Sequence, residues 1–346
     1  MINLIAFIFS FGLLVLAHEF GHFYLAKKTG VKVEEFGIGF PPRIFKWRKK
    51  ETQYSLGLIP FGGFVKLEGE KSDEFGFRAQ KPIKKIVISG AGIVFNIILA
   101  YLIFSLSLPI FGLPHKENKI MVAEVIKGAL GEKYFKKGDI IEKALIDGQE
   151  ISFFTNENFV SFVKTNLGKR VDFVILREGE RKVVTLDLPL EFDKKKGALG
   201  IRISNYFVRK EPLPKNFISG FNYVYESFQN AISSFYFLVL KIANKTSMPV
   251  EVVGPIGIYG IFEKLFSSNL SLALHFIGTI SVYLAFLNFL PFPGLDGFHI
   301  FLAILESIRG KRLQLKLEET IIQTGLALLF LLLFLVTFFD IKRLLQ

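Results

Sequence analysis

Cysteine is absent from the 346 residues. That excludes disulfides and every thiolate metal site, so a bound cation must sit on His, Asp, Glu or backbone oxygen. It leaves the redox compartment open. Charge is sparse: Asp, Glu, Lys and Arg make up 21% of the chain, whereas 51% is hydrophobic and 40 residues are Phe. Soluble domains carry about 25% charge, so the apolar excess is modest and matters only where it is concentrated. Histidine is scarce, with five in the chain, which makes any patterned pair informative. Net charge is +12, from 43 basic and 31 acidic residues. Such a balance points to nucleic acid, anionic lipid, or Lys and Arg flanking membrane spans.

The hydrophobicity is gathered into a few runs. Residues 2–17 are almost unbroken apolar sequence, residues 86–113 and 270–295 hold no Asp, Glu, Lys or Arg, and 321–339 read IIQTGLALLFLLLFLVTFF. About 20 such residues span a bilayer as a helix, so four spans are expected, near 2–24, 86–108, 271–290 and 320–339. The first lacks a positively charged start and a small-residue cleavage site, and His18, Glu19 and His22 interrupt its end. It therefore reads as a span and not as a signal peptide. Lys27, Lys28 and Lys32, then Arg78, Lys81, Lys84 and Lys85, then Arg309, Lys311, Arg312 and Lys316 flank the spans. Short basic loops stay in the cytoplasm, which places both termini and the 109–270 region outside. Lys342 and Arg343 weigh weakly the other way. Because the basic clusters flank spans, nucleic-acid binding is not expected. Residues 216–240 mix Asn, Gln, Ser and Tyr into an apolar stretch and read more as an amphipathic interfacial helix in contact with lipid than as a fifth span, which would put the Arg309–Lys316 cluster outside.

The expected organisation is a polytopic α-helical membrane protein with a first span at 1–26, a cytoplasmic, membrane-associated β-hairpin loop at 27–85, and a second span at 86–110. A small α+β domain at 115–207 and the amphipathic segment at 208–269 follow. A third span at 270–297, a cytoplasmic loop at 298–319, and a fourth span with a tail at 320–346 complete it. In the small domain, Val171–Arg177 and Lys182–Leu188 alternate apolar and polar around a Glu-Gly turn, a hairpin signal, and 156–167 suits a helix. In the inner loop, short β-like runs are punctuated by Gly37-x-Gly39 and Gly62-Gly63, which suggest tight turns. Its Phe36, Phe40, Phe45, Trp47, Phe61 and Phe64 suit membrane contact or re-entry at least as well as a plain solvated hairpin loop.

The first span ends His18-Glu19-Phe20-Gly21-His22. Positions i and i+4 share a helix face, so two imidazoles there can grip one Zn²⁺ while the Glu between them serves as general base. The bland alternative, a pair of interfacial histidines, must also account for three ionisable groups in a membrane segment, where such groups are functional by default. A hydrolytic zinc takes three protein ligands and leaves one position open. Asp296 is the best third candidate. It follows Asn288-Phe-Leu-Pro-Phe-Pro-Gly-Leu, whose prolines and glycine cannot continue a helix, and the freed backbone is tolerable only where it is buried or lines a wet cavity. With four spans, Asp296 and the two histidines share the inner leaflet. His299 competes for the same role, and Asn288 is a candidate contact for substrate or a developing oxyanion.

HEFGH at 18–22, PFGGFVKL at 60–67, GAGIVFN at 90–96, VGPIGI at 253–258 and NFLPFPGLDG at 288–297 run in order through the chain. Together they resemble the site-2 protease family of intramembrane zinc metalloproteases, in its bacterial RseP-like branch. The resemblance implies zinc held by His18, His22 and Asp296, Glu19 as catalytic base, and a PDZ-like external domain. Gly62, Gly63 and Asn96 join Asn288 as candidate substrate or oxyanion contacts. It further implies single-span membrane substrates already trimmed outside, such as anti-sigma factors or signal-peptide remnants, and peptide C-termini at the PDZ-like domain. The chain has room for one PDZ domain where well-known members of the branch have two. Ala91-Gly92 replaces a frequent Gly-Pro, and LDGF replaces LDGG. The rival reading is a metal transporter or sensor with the same ligands and no hydrolysis; a PDZ-bearing scaffold with a dead site is a weaker one.

Overall fold

The computed structural model describes residues 1–72, 74–191, 197–243 and 253–345. The side chains of Phe40, Pro41, Ile59, Pro60, Phe61 and Ile242 fall outside that description, as do residues 244–252 of the expected interfacial segment and 192–196 of the external region. The chain divides into two compact units, Met1–Gly112 with Lys210–Gln346, and Leu113–Arg209.

Among the described residues of the first unit, four helices are long and apolar enough to cross a membrane: α1 (Ile2–Lys28), α3 (Pro82–Ile110), α7 (Leu270–Phe289) and α9 (Leu315–Leu344). α1, α3 and α9 run past the expected spans at the ends that carry Lys27 and Lys28, Lys84 and Lys85, and Lys316, while α7 keeps close to its expected length. Between α1 and α3 lie strands β1 (Val33–Lys49) and β2 (Thr52–Leu67) and the short helix α2 (Gly76–Ala79). The register of β1 and β2 is more elaborate than a hairpin. Phe36 stands beside both Val65 and Tyr54, and Trp47 also stands beside Tyr54. Each long strand thus bends, giving four stretches in the order 63–67, 33–38, 53–57, 43–49. The buried Glu35 carboxylate pins the bend by accepting from Ser55 Oγ at 2.7 Å and Arg43 Nη2 at 2.6 Å.

Helix–helix contacts in this unit rely on small residues, as expected where lipid supplies no hydrophobic drive. A Cβ on Gly21 of α1 would lie 2.5 Å from Ala91 O of α3, and one on Gly278 of α7 would lie 2.4 Å from the Phe104 ring of α3. Ser281 Oγ of α7 donates to Asn96 O of α3 at 2.8 Å. Helices α5 (Lys215–Ala243), α6 (Pro255–Ser268) and α8 (Asp296–Arg309) complete the unit. The buried Asp340 carboxylate of α9 accepts from Gly254 N and Gly257 N at the start of α6, which is the local use of the VGPIGI motif. Helix α5 does more than lie flat at an interface: Tyr223 packs on His275 and Phe235 packs on Phe286. These α7 contacts are about 16 Å apart at 1.5 Å per residue, so α5 runs alongside α7, with its other face exposing Ile218, Phe221 and Tyr225.

The second unit is built on a sheet of order β7-β6-β4-β3-β8, with β5 beside β4. Its strands are β3 (Leu113–Val125), β4 (Ile140–Ile146), β5 (Gln149–Ser152), β6 (Arg170–Arg177), β7 (Glu180–Asp187) and β8 (Ile201–Arg209). Helix α4 (Asn156–Thr165), capped by the Thr155 side chain accepting from Asn158 N, packs Phe159 and Phe162 against Phe153 and Phe173. The β6–β7 turn is Glu178-Gly179, both at positive φ (54° and 87°), the backbone that a two-residue hairpin demands. Asp139, 2% exposed, accepts from Arg177 Nε at 2.8 Å and Nη2 at 2.6 Å. That carboxylate holds the Arg177 guanidinium above its already high ordinary pKa. Arg177→Leu strands a buried charge, which costs about 3–5 kcal/mol. Hydrogen exchange of the full-length variant should show accelerated exchange across 113–209, and wild-type protection there would contradict this.

Candidate metal centre

Helix α1 places His18 and His22 one turn apart, rings edge to face with centroids 4.8 Å apart. Their Nε2 atoms are 3.2 Å from each other. Asp296 Oδ2 reaches the same point from α8, 3.0 Å from His18 Nε2 and 3.2 Å from His22 Nε2. Among the described residues this is the one group of His, Asp and Glu atoms close enough to share a cation. The donor triangle can be tested against a metal. Zinc with bonds near 2.0–2.1 Å in a tetrahedron has ligand–ligand edges of about 3.3 Å, and the triangle matches. Asp296 Oδ2 is buried and finds no donor with hydrogen-bond geometry, as a ligand atom would. His22 Nδ1 is 2.8 Å from Ile88 O; an N–H there fixes the tautomer that leaves the Nε2 lone pair for a cation. The residues fit zinc.

Two local features deliver Asp296. Helix α7 ends at Phe289 because Pro291 and Pro293 cannot supply the next donors. Gly294 then turns the chain with φ +99°, and a Cβ on Gly297 would lie 2.3 Å from Phe289 O and Leu290 O. The bare Gly297 lets α8 start directly against the end of α7, with Asp296 as its first residue. Gly92 on α3 gives the histidines room: a Cβ there would lie 2.5 Å from His22 Nε2 and 2.6 Å from His18 Cε1.

The site opens into a cavity of about 720 Å³ lined by His18, Glu19, His22, Asn96, Asn288 and Asp296, with Phe64, Val65 and Leu67 of β2 along one wall. Glu19 sits against that strand: a Cβ on Gly63 would lie 3.0 Å from Glu19 Cγ. Asn96 approaches His18, its Nδ2 3.4 Å from Nδ1. His299 lines the same cavity but lies outside the donor triangle. Gly62 is not among the lining residues; its φ of +91° serves the strand's bend. Towards the basic end of the spans the wall is charged. Lys85 Nζ meets Glu306 Oε2 at 2.6 Å, Arg312 Nε meets Glu306 Oε1 at 3.0 Å, and Arg78 pairs with Glu318. Nearby, burial pushes the Glu70 carboxyl above its ordinary pKa. Sequence reasoning did not find the parts played by Gly21, Gly92, Ile88 or the Lys85–Glu306 pair. The signal available was the small-residue run Ser89-Gly90-Ala91-Gly92 facing a helix with its own Gly21. Gly92→Val should fold and insert yet purify with little zinc, read as metal per chain; wild-type metal content would refute the packing argument.

A family model described as peptidase family M50 matches residues 6–332. A Clostridium perfringens chain with a provisional zinc-metalloprotease description is 34% identical over 340 residues, covering 96% of both chains. The regulator of sigma-W protease RasP of Bacillus subtilis is 26% identical over 427 residues, covering 99% of each. The chloroplastic membrane metalloprotease ARASP of Arabidopsis thaliana is 30% identical over 339 residues, covering 93% of this chain and 75% of its own. A solved PDZ domain from Listeria monocytogenes aligns with 25% of this chain and 87% of its own at 20% identity, with a TM-score of 0.21.

Proposed function

Because the chain belongs to peptidase family M50, we propose that its zinc is held by His18, His22 and Asp296, and that Glu19 is the base with which this membrane metalloprotease cuts peptide bonds inside the bilayer. The observation that carries the reading is the triangle of three donor atoms with sides of 3.0–3.2 Å, in a cavity shared with Glu19. Bound zinc supplies Lewis-acid polarisation of the scissile carbonyl and acidifies water. Glu19 takes the proton of the attacking water and delivers it to the leaving amine. Asn288, on the cavity wall, donates to the substrate carbonyl or its developing negative charge.

A helical substrate hides its amides, so it must unwind before attack. The 63–67 stretch of β2 is the edge of its sheet, and Phe64, Val65 and Leu67 line the cavity. That edge holds the unwound segment by strand addition, and Gly63 keeps side-chain bulk away from Glu19. Neighbouring residues on a strand point their backbone groups opposite ways. Proline introduced in turn at Phe64 and Val65 should therefore abolish cleavage at the outward-facing position with zinc retained; full cleavage by both variants would refute strand addition.

The substrates are membrane proteins. We assign them as single-span chains trimmed outside, with anti-sigma-factor-like chains and signal-peptide remnants as the classes. The B. subtilis relative's name, regulator of sigma-W protease, supports this choice. Lys27 and Lys28 at the end of α1 and the Arg309–Lys316 cluster support an orientation with both termini and the Leu113–Arg209 unit outside the cytoplasm. In that place the unit reads new C-termini or turns away bulky chains. A transporter with the same ligands would need no base. Glu19→Gln should keep stoichiometric zinc and lose cleavage of single-span substrates by at least a thousandfold; full cleavage would overturn the mechanism.

A further inference from the structure

Asn96 entered as a candidate substrate contact, and its surroundings point elsewhere. It is 1% exposed on α3, its Oδ1 has no hydrogen-bond partner, and its Nδ2 lies 3.4 Å from His18 Nδ1. The other ring nitrogen of His18, Nε2, faces Asp296 Oδ2 and His22 Nε2. If Nε2 gives its lone pair to a cation, the neutral ring must carry its hydrogen on Nδ1. As drawn, the amide then sets one donor against another and leaves its acceptor orphaned. Amide oxygen and nitrogen are told apart only by such networks. Turning the amide over puts Oδ1 against the His18 Nδ1–H and resolves both faults.

We propose that Asn96 is a positioning residue that accepts from His18 Nδ1–H through its side-chain oxygen, and so holds His18 in the tautomer and ring orientation that bind zinc. The proposal rests on the zinc reading above. His22 supplies the parallel on the same site: its Nδ1 is held by Ile88 O at 2.8 Å, also on α3. One helix thus orients both imidazoles, one by a backbone carbonyl and the other by an amide oxygen. Asn96 is itself fixed, since its backbone oxygen accepts from Ser281 Oγ at 2.8 Å and Ser281 is fully buried. An acceptor on a helix that is itself pinned to α7 keeps an imidazole from turning, and outer partners of this kind are worth about 10–100-fold in metal affinity.

The test compares full-length wild type, Asn96→Asp and Asn96→Leu. Each is stripped of metal and titrated with Zn²⁺ against a chromophoric chelator, and Co²⁺ absorption is recorded alongside. Aspartate keeps the acceptor at the same reach; leucine keeps the volume and removes it. The expected result is wild-type or tighter zinc affinity for Asn96→Asp and a 10–100-fold loss for Asn96→Leu, with an altered Co²⁺ spectrum for leucine alone. Wild-type affinity in Asn96→Leu overturns the proposal. So does a tenfold or greater loss in Asn96→Asp, because the amide N–H₂ or packing would then be what matters; this arm decides even where the leucine variant does not fold. A wild type that binds no zinc would overturn the metal-site reading itself, an outcome distinct from failure of the Asn96 role.

Discussion

Three ionisable side chains on a membrane helix have to be covered by protein, and here the cover is the close approach of α1 and α3. Gly21 meets the Ala91 carbonyl and Gly92 meets the two imidazoles, and neither position has room for a Cβ. The approach brings Ile88 O and Asn96 to the outer nitrogens of His22 and His18. It also sets a wall of the cavity that Glu19 lines. An α3 with ordinary side chains on this face would stand off from α1 and leave the histidines to lipid, where polar groups cost several kcal/mol each. Helix α7 completes the site by stopping. Its proline-broken end turns Asp296 back onto the seam, which a continuous helix would carry past it.

This packing divides the labour within the first unit. α1 and α8 carry the donor triangle, α3 packs against its outer nitrogens, and β2 forms one wall of the cavity. The charged groups cluster at one end, where Lys85, Glu306, Arg312, Arg78 and Glu318 meet around the cavity. Three basic side chains are thereby paired with two carboxylates on the cavity wall. The sheet of the Leu113–Arg209 unit has its own aromatic core and its own buried ion pair.

Much of this was legible from residue order, for physical reasons. An uncharged run of about 20 residues has few alternatives to a span. His18 and His22 must share a helix face, and Pro291, Pro293 and Gly294 must end α7. The Glu178-Gly179 turn follows from alternation on both sides of it. Other features were not legible. Asp296 and His299 lie three residues apart beyond the same span, and only the fold shows which one joins the histidines. The doubled pairing of β1 and β2 escapes sequence reading because Gly- and Pro-rich strands specify register weakly. The course of α5 beside α7 depends on small and aromatic residues whose partners lie far off in the chain. Asn96 illustrates the limit most clearly: its residue type fits a substrate contact or a ligand support equally well, and its 3.4 Å approach to His18 Nδ1 becomes visible only in the fold.

The proposed function puts peptide-bond cleavage at membrane depth, at a centre where the ends of α1 and α7 meet α8. The direct measurement is mass-spectrometric mapping of the cut in a single-span substrate co-reconstituted with the protein in lipid vesicles. One principal cut is expected within the apolar segment, in its cytoplasmic half, abolished by zinc chelation and restored by Zn²⁺. Cuts confined to the residues outside the apolar segment, or cleavage indifferent to chelation, would contradict it.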